Sequence, residues 1–511
     1  MKKMNHIRWG VSLTYIQLFL SVAISIAYTP VMLQILGPSQ HGLYSTVSST
    51  ISWLSLLSLG FNASYIRFYS KYKSRNDSYG IAGLNGVFLL LFSAMGAVAI
   101  LCGIFLANNL ELLFGAGMTQ EEYTTARVLS LIVTLDLAIS FPASVFNAMI
   151  RAQEKFIQVK LVNMLQVVFS PLVTLPILFM GYGSIGMVTV TTAVDFMAYA
   201  LNAFYCFRKL HVKVRFRNFE KGIFKEISGF SIFIAINSIV NQINSNLDKM
   251  LITRYINTAA ASVYAIGFSL YSYYGSFSNA VSSMFVPRVH KIVNDHSNAP
   301  QLMRQGLTEI FVRLGRIQYY IQMLVMTGLI FFGRAFIYFW AGPEYADSYY
   351  VAIILCAVYT IPLCQSIGIE IQRAQNKHQV RSVVYLIMAL FNVGLTIVLC
   401  QRYGIVGATI GTAISALAVE LVFLNIYYHK KLNIDVLVYW RNILRVSVGL
   451  IVPVLLGIAI NHFVVLDSVW KMLCWIGIYT VVYLVSIWLF AMNPYEKDIV
   501  IGKMLRRIRG K

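Results

Sequence analysis

The sequence predicts an all-α polytopic membrane protein of about fourteen transmembrane helices, arranged as two pseudo-symmetric six-helix lobes plus two C-terminal helices. Three observations predict it. The composition is too apolar for a soluble chain, long apolar segments recur along the whole length, and landmarks repeat at an offset of about 220 residues.

Apolar residues make up 58% of the 511 positions and charged residues 12%, against about 45–50% apolar in soluble domains. Hydrophobic segments follow one another so closely that no folded extramembrane domain fits between them. Crossing about 30 Å of hydrocarbon takes about 20 apolar residues at 1.5 Å each. Segments of that kind begin, in order, near Gly10, Leu43, Ile81, Ala126, Val159, Ser184, Phe230, Ser262, Phe311, Tyr349, Val380, Ile405, Leu444 and Trp470. The first runs from Gly10 to Leu36, too long for a signal-peptide core, and is expected to stay.

The net charge of +21 does not point to nucleic acid, because its distribution alternates. Cytoplasmic loops of membrane proteins collect Lys and Arg. With the N-terminus inside, 35 of the 41 basic residues fall in inner segments; Arg127, Lys249, Arg254, Arg334, Arg402 and Lys471 are the rest. This split predicts cytoplasmic N- and C-termini and supports the helix count, since one missed span would scramble the alternation. The six cysteines lie in apolar runs without CxxC spacing and the histidines lack HExxH spacing, so neither disulfides nor a metal are expected. No cofactor is implied, and no GxxxxGK loop is present for ATP hydrolysis.

Arg151-Ala152-Gln153-Glu154-Lys155 recurs as Arg373-Ala374-Gln375-Asn376-Lys377, and Tyr182-Gly183-Ser184-Ile185-Gly186 recurs as Tyr403-Gly404-Ile405-Val406-Gly407. Tyr44 matches Tyr264 in the same order. These landmarks predict a six-helix lobe over 1–215, a second over 216–430, and two extra helices with a basic cytoplasmic tail over 431–511. An even number of spans per repeat gives both lobes the same orientation.

Two polar stripes follow helical spacing. On the first helix Thr14, Gln17, Ser21, Ser25 and Tyr28 share a face; on the seventh, Asn237, Asn241, Asn244 and Asp248 do. Ordinary interhelical hydrogen bonding explains such stripes. So does a polar cavity between lobes, whose amide donors and acceptors suit a hydroxyl-rich solute such as a sugar.

Leu36-Gly37-Pro38-Ser39-Gln40-His41-Gly42-Leu43-Tyr44-Ser45 resembles the "LGPxxxGLYS" turn of the polysaccharide transport branch (lipid-linked oligosaccharide flippases) of the multidrug/oligosaccharidyl-lipid/polysaccharide exporter superfamily. Leu59-Gly60-Phe61 with Arg67, Arg151-Ala152-Gln153, and Asp248 with Val263-Tyr264-Ala265 are similar to further motifs of that branch, over roughly residues 8 to 430. The resemblance implies two lobes opening alternately to each side of a bacterial cell membrane. The implied substrate is an undecaprenyl-diphosphate-linked oligosaccharide bound for O-antigen, capsule or exopolysaccharide. It also implies contact with a polysaccharide polymerase and glycosyltransferases, and a groove for the lipid tail on helices thirteen and fourteen.

Among the basic residues, Arg67, Arg151, Arg373, Lys249, Arg288, Arg313 and Arg316 are weighed as diphosphate ligands, because a guanidinium fork meets two oxygens at once. Positive-inside anchoring explains most of them equally well. Arg67, Arg151 and Arg373 stand where an anionic headgroup would dock from the cytoplasm. Acids within spans are costly, and five occur: Asp136, Asp195, Asp248, Glu370 and Glu420. Asp248 adjoins Lys249, and Glu370 lies three residues before Arg373, so ion pairs fit there. Asp136 and Asp195 have no such neighbour and are the candidates for proton or sodium coupling. Interior acids outnumber interior bases, which keeps a cation-coupled multidrug extruder of the same superfamily open as an alternative. A membrane polymerase or glycosyltransferase is the alternative of another class, weakened by the short outer loops. The chain is therefore expected to be a transporter rather than an enzyme.

Overall fold

A computed structural model describes residues 2–58, 61–216, 236–296, 298–377 and 379–498. The Leu59-Gly60 pair, the basic tail beyond 498 and the start of the seventh helix near Phe230 lie outside the described residues.

The described chain is helical throughout and carries no strand. Among the described residues nine helices are long and apolar enough to cross a membrane, and the pair Ser348–Cys364 and Ile367–Ala374, bent by 44°, makes ten. Two of the nine, Ile16–Ser58 and Gln379–Lys431, are each broken by a left-handed glycine, Gly37 (φ 70°) and Gly404 (φ 62°). Only glycine takes such a backbone without steric cost. Counting each broken run as two, and adding residues 236–255 and Thr258–Ser283, accounts for all fourteen expected segments.

Local chemistry sets the helix ends. The Asp77 side chain accepts the Gly80 amide at 2.7 Å to start Ser78–Asn108. Thr119 and Glu122 form a reciprocal capping box that starts Gln120–Ala152. The two landmark repeats are also repeats of backbone. Glu154 and Asn376 both take positive φ, 60° and 55°, and so do Gly183 and Gly404, 56° and 62°. Lys155 and Lys377 close the same turn, their amides donating to Ile150 and Gln372 carbonyls at 3.1 and 2.9 Å.

The chain divides into two compact units. Unit 1 comprises Met1–Ile266 with Ser382–Thr412; unit 2 comprises Gly267–Arg381 with Ala413–Lys511. Unit 1 has an aromatic core in which Tyr65, Phe88 and Phe92 are buried. Its helices approach through small residues: a Cβ on Gly96 would lie 2.6 Å from the Ala138 carbonyl oxygen. Close helix approach at small residues is how spans associate without a hydrophobic driving force. Large apolar side chains such as Phe105, Leu172 and Phe204 are left exposed, as a lipid surrounding requires.

In unit 2 the last two spans, Val436–Phe463 and Val469–Ala491, pack on the long helix Pro300–Trp340. Gly457 lies directly against the Phe331 ring, and Tyr319 and Ser447 share a hydrogen bond of 2.6 Å. At the base of this contact all three guanidinium nitrogens of Arg316 donate hydrogen bonds. Its guanidinium donates to Glu496 through Nε (2.7 Å) and Nη2 (2.8 Å), and to Asn442 Oδ1, the Tyr320 hydroxyl and the Ala491 carbonyl. Arg316 and Glu496 are both buried, so their pairing satisfies two charges that would otherwise be costly.

Candidate functional site

Polar groups inside unit 1 fall into two clusters. The first joins helices of the first repeat. Asp136 on Gln120–Ala152 accepts from the Tyr199 hydroxyl at 3.4 Å, and Asp195 on Gly183–Arg208 accepts from Gln166 Nε2 at 2.9 Å. The two helices that carry them pack against each other. Two acids 59 positions apart in sequence thus stand on packed helices of one unit, each held by a neutral hydrogen-bond donor. Tyr199 and Gln166 carried no sequence signal; nothing in a lone Gln or Tyr within an apolar run marks it as a carboxylate partner.

The second cluster centres on Asp248. The seventh helix carries a π-helical turn over Ile243–Leu247, immediately before Asp248. The wider turn shifts the phase of the residues beyond it. Asn241 is exposed and Asn244 half-buried, whereas Asp248 is buried at 3% exposure. Its Oδ2 accepts from the Tyr264 hydroxyl (2.6 Å) and Thr412 Oγ1 (2.8 Å). Asn392 Oδ1 lies beside them, accepting from Thr396 Oγ1 at 3.0 Å. A carboxylate, an amide oxygen and three hydroxyls form an all-oxygen donor set, the chemistry that hard cations prefer. Tyr264 was visible as a repeat landmark; Asn392, Thr396 and Thr412 were not, because the spacing that joins them to Asp248 exists only after folding.

The remaining stripe residues are separately placed. Asn237 donates to Ser382 Oγ at 3.0 Å, and Gln17 and Ser21 are half-buried on the first helix. Gln17 Oε1 is buried without a hydrogen-bond partner, an unusual state for an amide oxygen. Arg67 and Arg151 are both exposed. Arg373 is exposed as well and donates to Glu370 at 2.6 Å, so the ion-pair alternative weighed for it is realised. Arg313 stacks on the Tyr495 ring at 3.6 Å, and Arg316 belongs to the buried Glu496 pair. Among the described residues no group of three or more His, Cys, Asp or Glu could hold a metal ion.

The described residues thus form a many-span helical bundle with two carboxylate-centred polar clusters in unit 1. Residues 31–350 match the model of the family described as "Polysaccharide biosynthesis protein". The chain belongs to that family. Among solved structures it is similar to "Lipid II flippase MurJ, inward closed conformation", at 16% identity and a TM-score of 0.68, covering 98% of this chain and 100% of that one. It is also similar to an inward-facing multidrug resistance MATE family transporter, at 13% identity and a TM-score of 0.60, covering 79% and 96% of the two chains. The Vibrio cholerae MATE transporter VcmN in the bent form matches at 13% identity and a TM-score of 0.52, covering 84% and 100%. No curated protein matches the sequence. At these identities the structural likeness establishes a common fold.

Proposed function

We propose that the protein is a flippase that carries an undecaprenyl-diphosphate-linked oligosaccharide from the cytoplasmic to the outer leaflet of a bacterial cell membrane, for surface polysaccharide assembly. Membership of a polysaccharide-biosynthesis family, in a chain that shares its fold with a lipid flippase, is the observation that carries this reading. In it, the termini are cytoplasmic. Arg67 and Arg151 of unit 1 are diphosphate ligands in this reading, and so is Arg373 of unit 2, which exchanges Glu370 for phosphate. Gln17, Ser21, Asn237, Asn241 and Asn244 meet glycan hydroxyls through side-chain donors and acceptors.

The membrane potential favours this direction. About two negative charges moving outward against a negative interior gain roughly 4–5 kcal/mol per 100 mV. The Asp136–Asp195 pair fits a coupled proton. The oxygen set around Asp248 fits a cation better than a sugar, which moves that residue from substrate contact to coupling. One observation favours a multidrug extruder instead: the interior polar clusters are acidic. Deleting the gene and extracting lipids decides between them. Accumulation of a complete lipid-linked repeat unit on the cytoplasmic leaflet supports the flippase. Unchanged lipids with drug sensitivity support the extruder, and single repeat units on the outer leaflet a polymerase.

A further inference from the structure

We infer that Gln318 is a positioning residue for the substrate headgroup: knotted to Ser278, Ser282 and Ser366, it fixes the bend that aims Arg373. This deepens the flippase reading and rests on it through the diphosphate role given there to Arg373. Every residue of the knot lies in unit 2.

The two repeats treat one span differently. Pro142 and Pro362 stand 220 positions apart, each inside the helix that leads to its repeat's Arg-Ala-Gln turn. Proline removes an intrahelical bond and favours a kink. Yet Gln120–Ala152 runs through Pro142 without a break and carries Arg151 in its own last turn. Its counterpart ends at Cys364, turns by 44° and resumes as the short arm Ile367–Ala374, which carries Arg373. The proline alone therefore does not make the bend.

What differs is the neighbour. Ser78–Asn108, packed on the unbroken helix, buries an apolar face that includes Phe88, Phe92, Gly96 and Ala99. Pro300–Trp340, packed on the broken one, presents the buried Gln318 instead. Its Nε2 donates to Ser282 Oγ at 2.6 Å and to the Ser278 carbonyl at 3.1 Å, and its Oε1 accepts from Ser366 Oγ at 3.3 Å. Ser278 Oγ in turn donates to the Leu363 carbonyl at 2.7 Å. Across the break the amides of Ser366, Gly368 and Ile369 reach back three residues rather than four, a tighter winding than the α-helix on either side. A glutamine amide suits this place because it donates and accepts at once. A hydrocarbon of the same size would leave buried serine hydroxyls unanswered. One turn along the longer arm, the Tyr274 and Thr360 hydroxyls bond at 2.6 Å and Gln322 Nε2 donates to the Tyr274 carbonyl at 3.4 Å. The same two neighbours thus hold the span on its longer arm and at its break.

The bend sets where Arg373 stands. Arg373 lies seven residues beyond Ser366, about 10 Å along the short arm at 1.5 Å per residue. Straightening 44° over that lever would carry its Cα about 7–8 Å. A hydrogen bond spans about 3 Å, so the angle decides where the guanidinium fork can meet a diphosphate.

The test uses the full chain in lipid nanodiscs. Spin labels at Arg373→Cys and Arg441→Cys, both exposed and in unit 2, with the six native cysteines replaced, read the aim of the short arm without substrate. Gln318→Met is expected to shift the distance between the labels by several ångströms, and Ser366→Ala to shift it in the same direction. Ser366→Thr, which keeps the hydroxyl, is expected to leave it unchanged. With Arg373 in place, Gln318→Met is expected to weaken binding of undecaprenyl diphosphate severalfold, as much as Arg373→Ala does. That loss should vanish on an Arg373→Ala background and multiply with the loss from Arg151→Ala. An unmoved distance in Gln318→Met and Ser366→Ala, or a binding loss that also multiplies with Arg373→Ala, would overturn the inference; if Gln318→Met fails to fold, Ser366→Ala decides. A parent that binds no undecaprenyl diphosphate retires the flippase reading and the role of Arg373 with it, while the label distance still decides what sets the bend.

Discussion

Replacing Glu496 by Gln removes one charge from the most heavily bonded ion pair among the described residues and leaves its shape in place. Arg316 would keep Asn442, Tyr320 and the Ala491 carbonyl as neutral acceptors but lose a carboxylate that meets it through two bonds of 2.7 and 2.8 Å. Leaving one buried charge without its partner costs about 3–5 kcal/mol. Across a body of unit 2's size, about 2–4 °C per kcal/mol makes this a fall in Tm of roughly 6 °C or more. Replacing both members, Arg316→Met with Glu496→Gln, removes the orphaned cation and should recover most of the loss, because Gln still caps the helix that Asn493 starts. The pair also gives stability a pH dependence. Burial alone would raise the Glu496 carboxyl, but the Arg316 bonds and the Asn493 amide outweigh it and hold it below its ordinary value of 4.5. A depressed carboxyl stabilises fully above that value and loses its contribution as pH falls through the folded one. Thermal unfolding of detergent-purified protein from about pH 7 to about pH 3 reads both effects. A Glu496→Gln variant within about 1 °C of the parent, with an unchanged acid limb, would refute the reasoning.

Three further outcomes are expected. Asp136→Asn and Asp195→Asn should each abolish acceleration of transport by a pH gradient in proteoliposomes while retaining substrate binding; retention of the acceleration in both would show that the proton is carried elsewhere. Asp248→Asn should eliminate any sodium-dependent rise in Tm, since an amide supplies one neutral oxygen where the carboxylate supplied charge; an unchanged rise would move the cation away from Asp248. Arg151→Ala should weaken binding of undecaprenyl diphosphate about tenfold, the worth of a charge-assisted bond, and Arg373→Ala less, because that guanidinium must first give up Glu370; equal losses would contradict the ranking.

The span count was legible because it rests on length and apolarity, properties each segment carries by itself. The repeat was legible for the same reason: a left-handed residue after Arg-Ala-Gln is a local event, and Glu154 and Asn376 perform it alike. What the sequence hid is whatever depends on a partner. An ideal helical period puts the stripe of the seventh helix on one face, and one π-helical turn sends Asn241 and Asp248 to different surroundings. Asp136 and Asp195 are solitary along the chain and neighbours in space. Arg316 gives the same signal as any positive-inside arginine, and its acid lies 180 positions away.

That separation has a consequence in time. Ribosomes add about 5–20 residues per second, so a gap of 180 residues keeps Arg316 waiting for roughly 9–36 seconds before its counter-ion exists. Through that interval the helix Pro300–Trp340 holds a guanidinium that water, lipid headgroups or a chaperone must serve. Unit 2 is completed by nearly the last described residues of the chain. A nascent protein that stalls or is clipped just before Glu496 already carries the span Val469–Ala491 and still presents an unanswered charge, a mark by which quality control can tell an unfinished copy from a finished one.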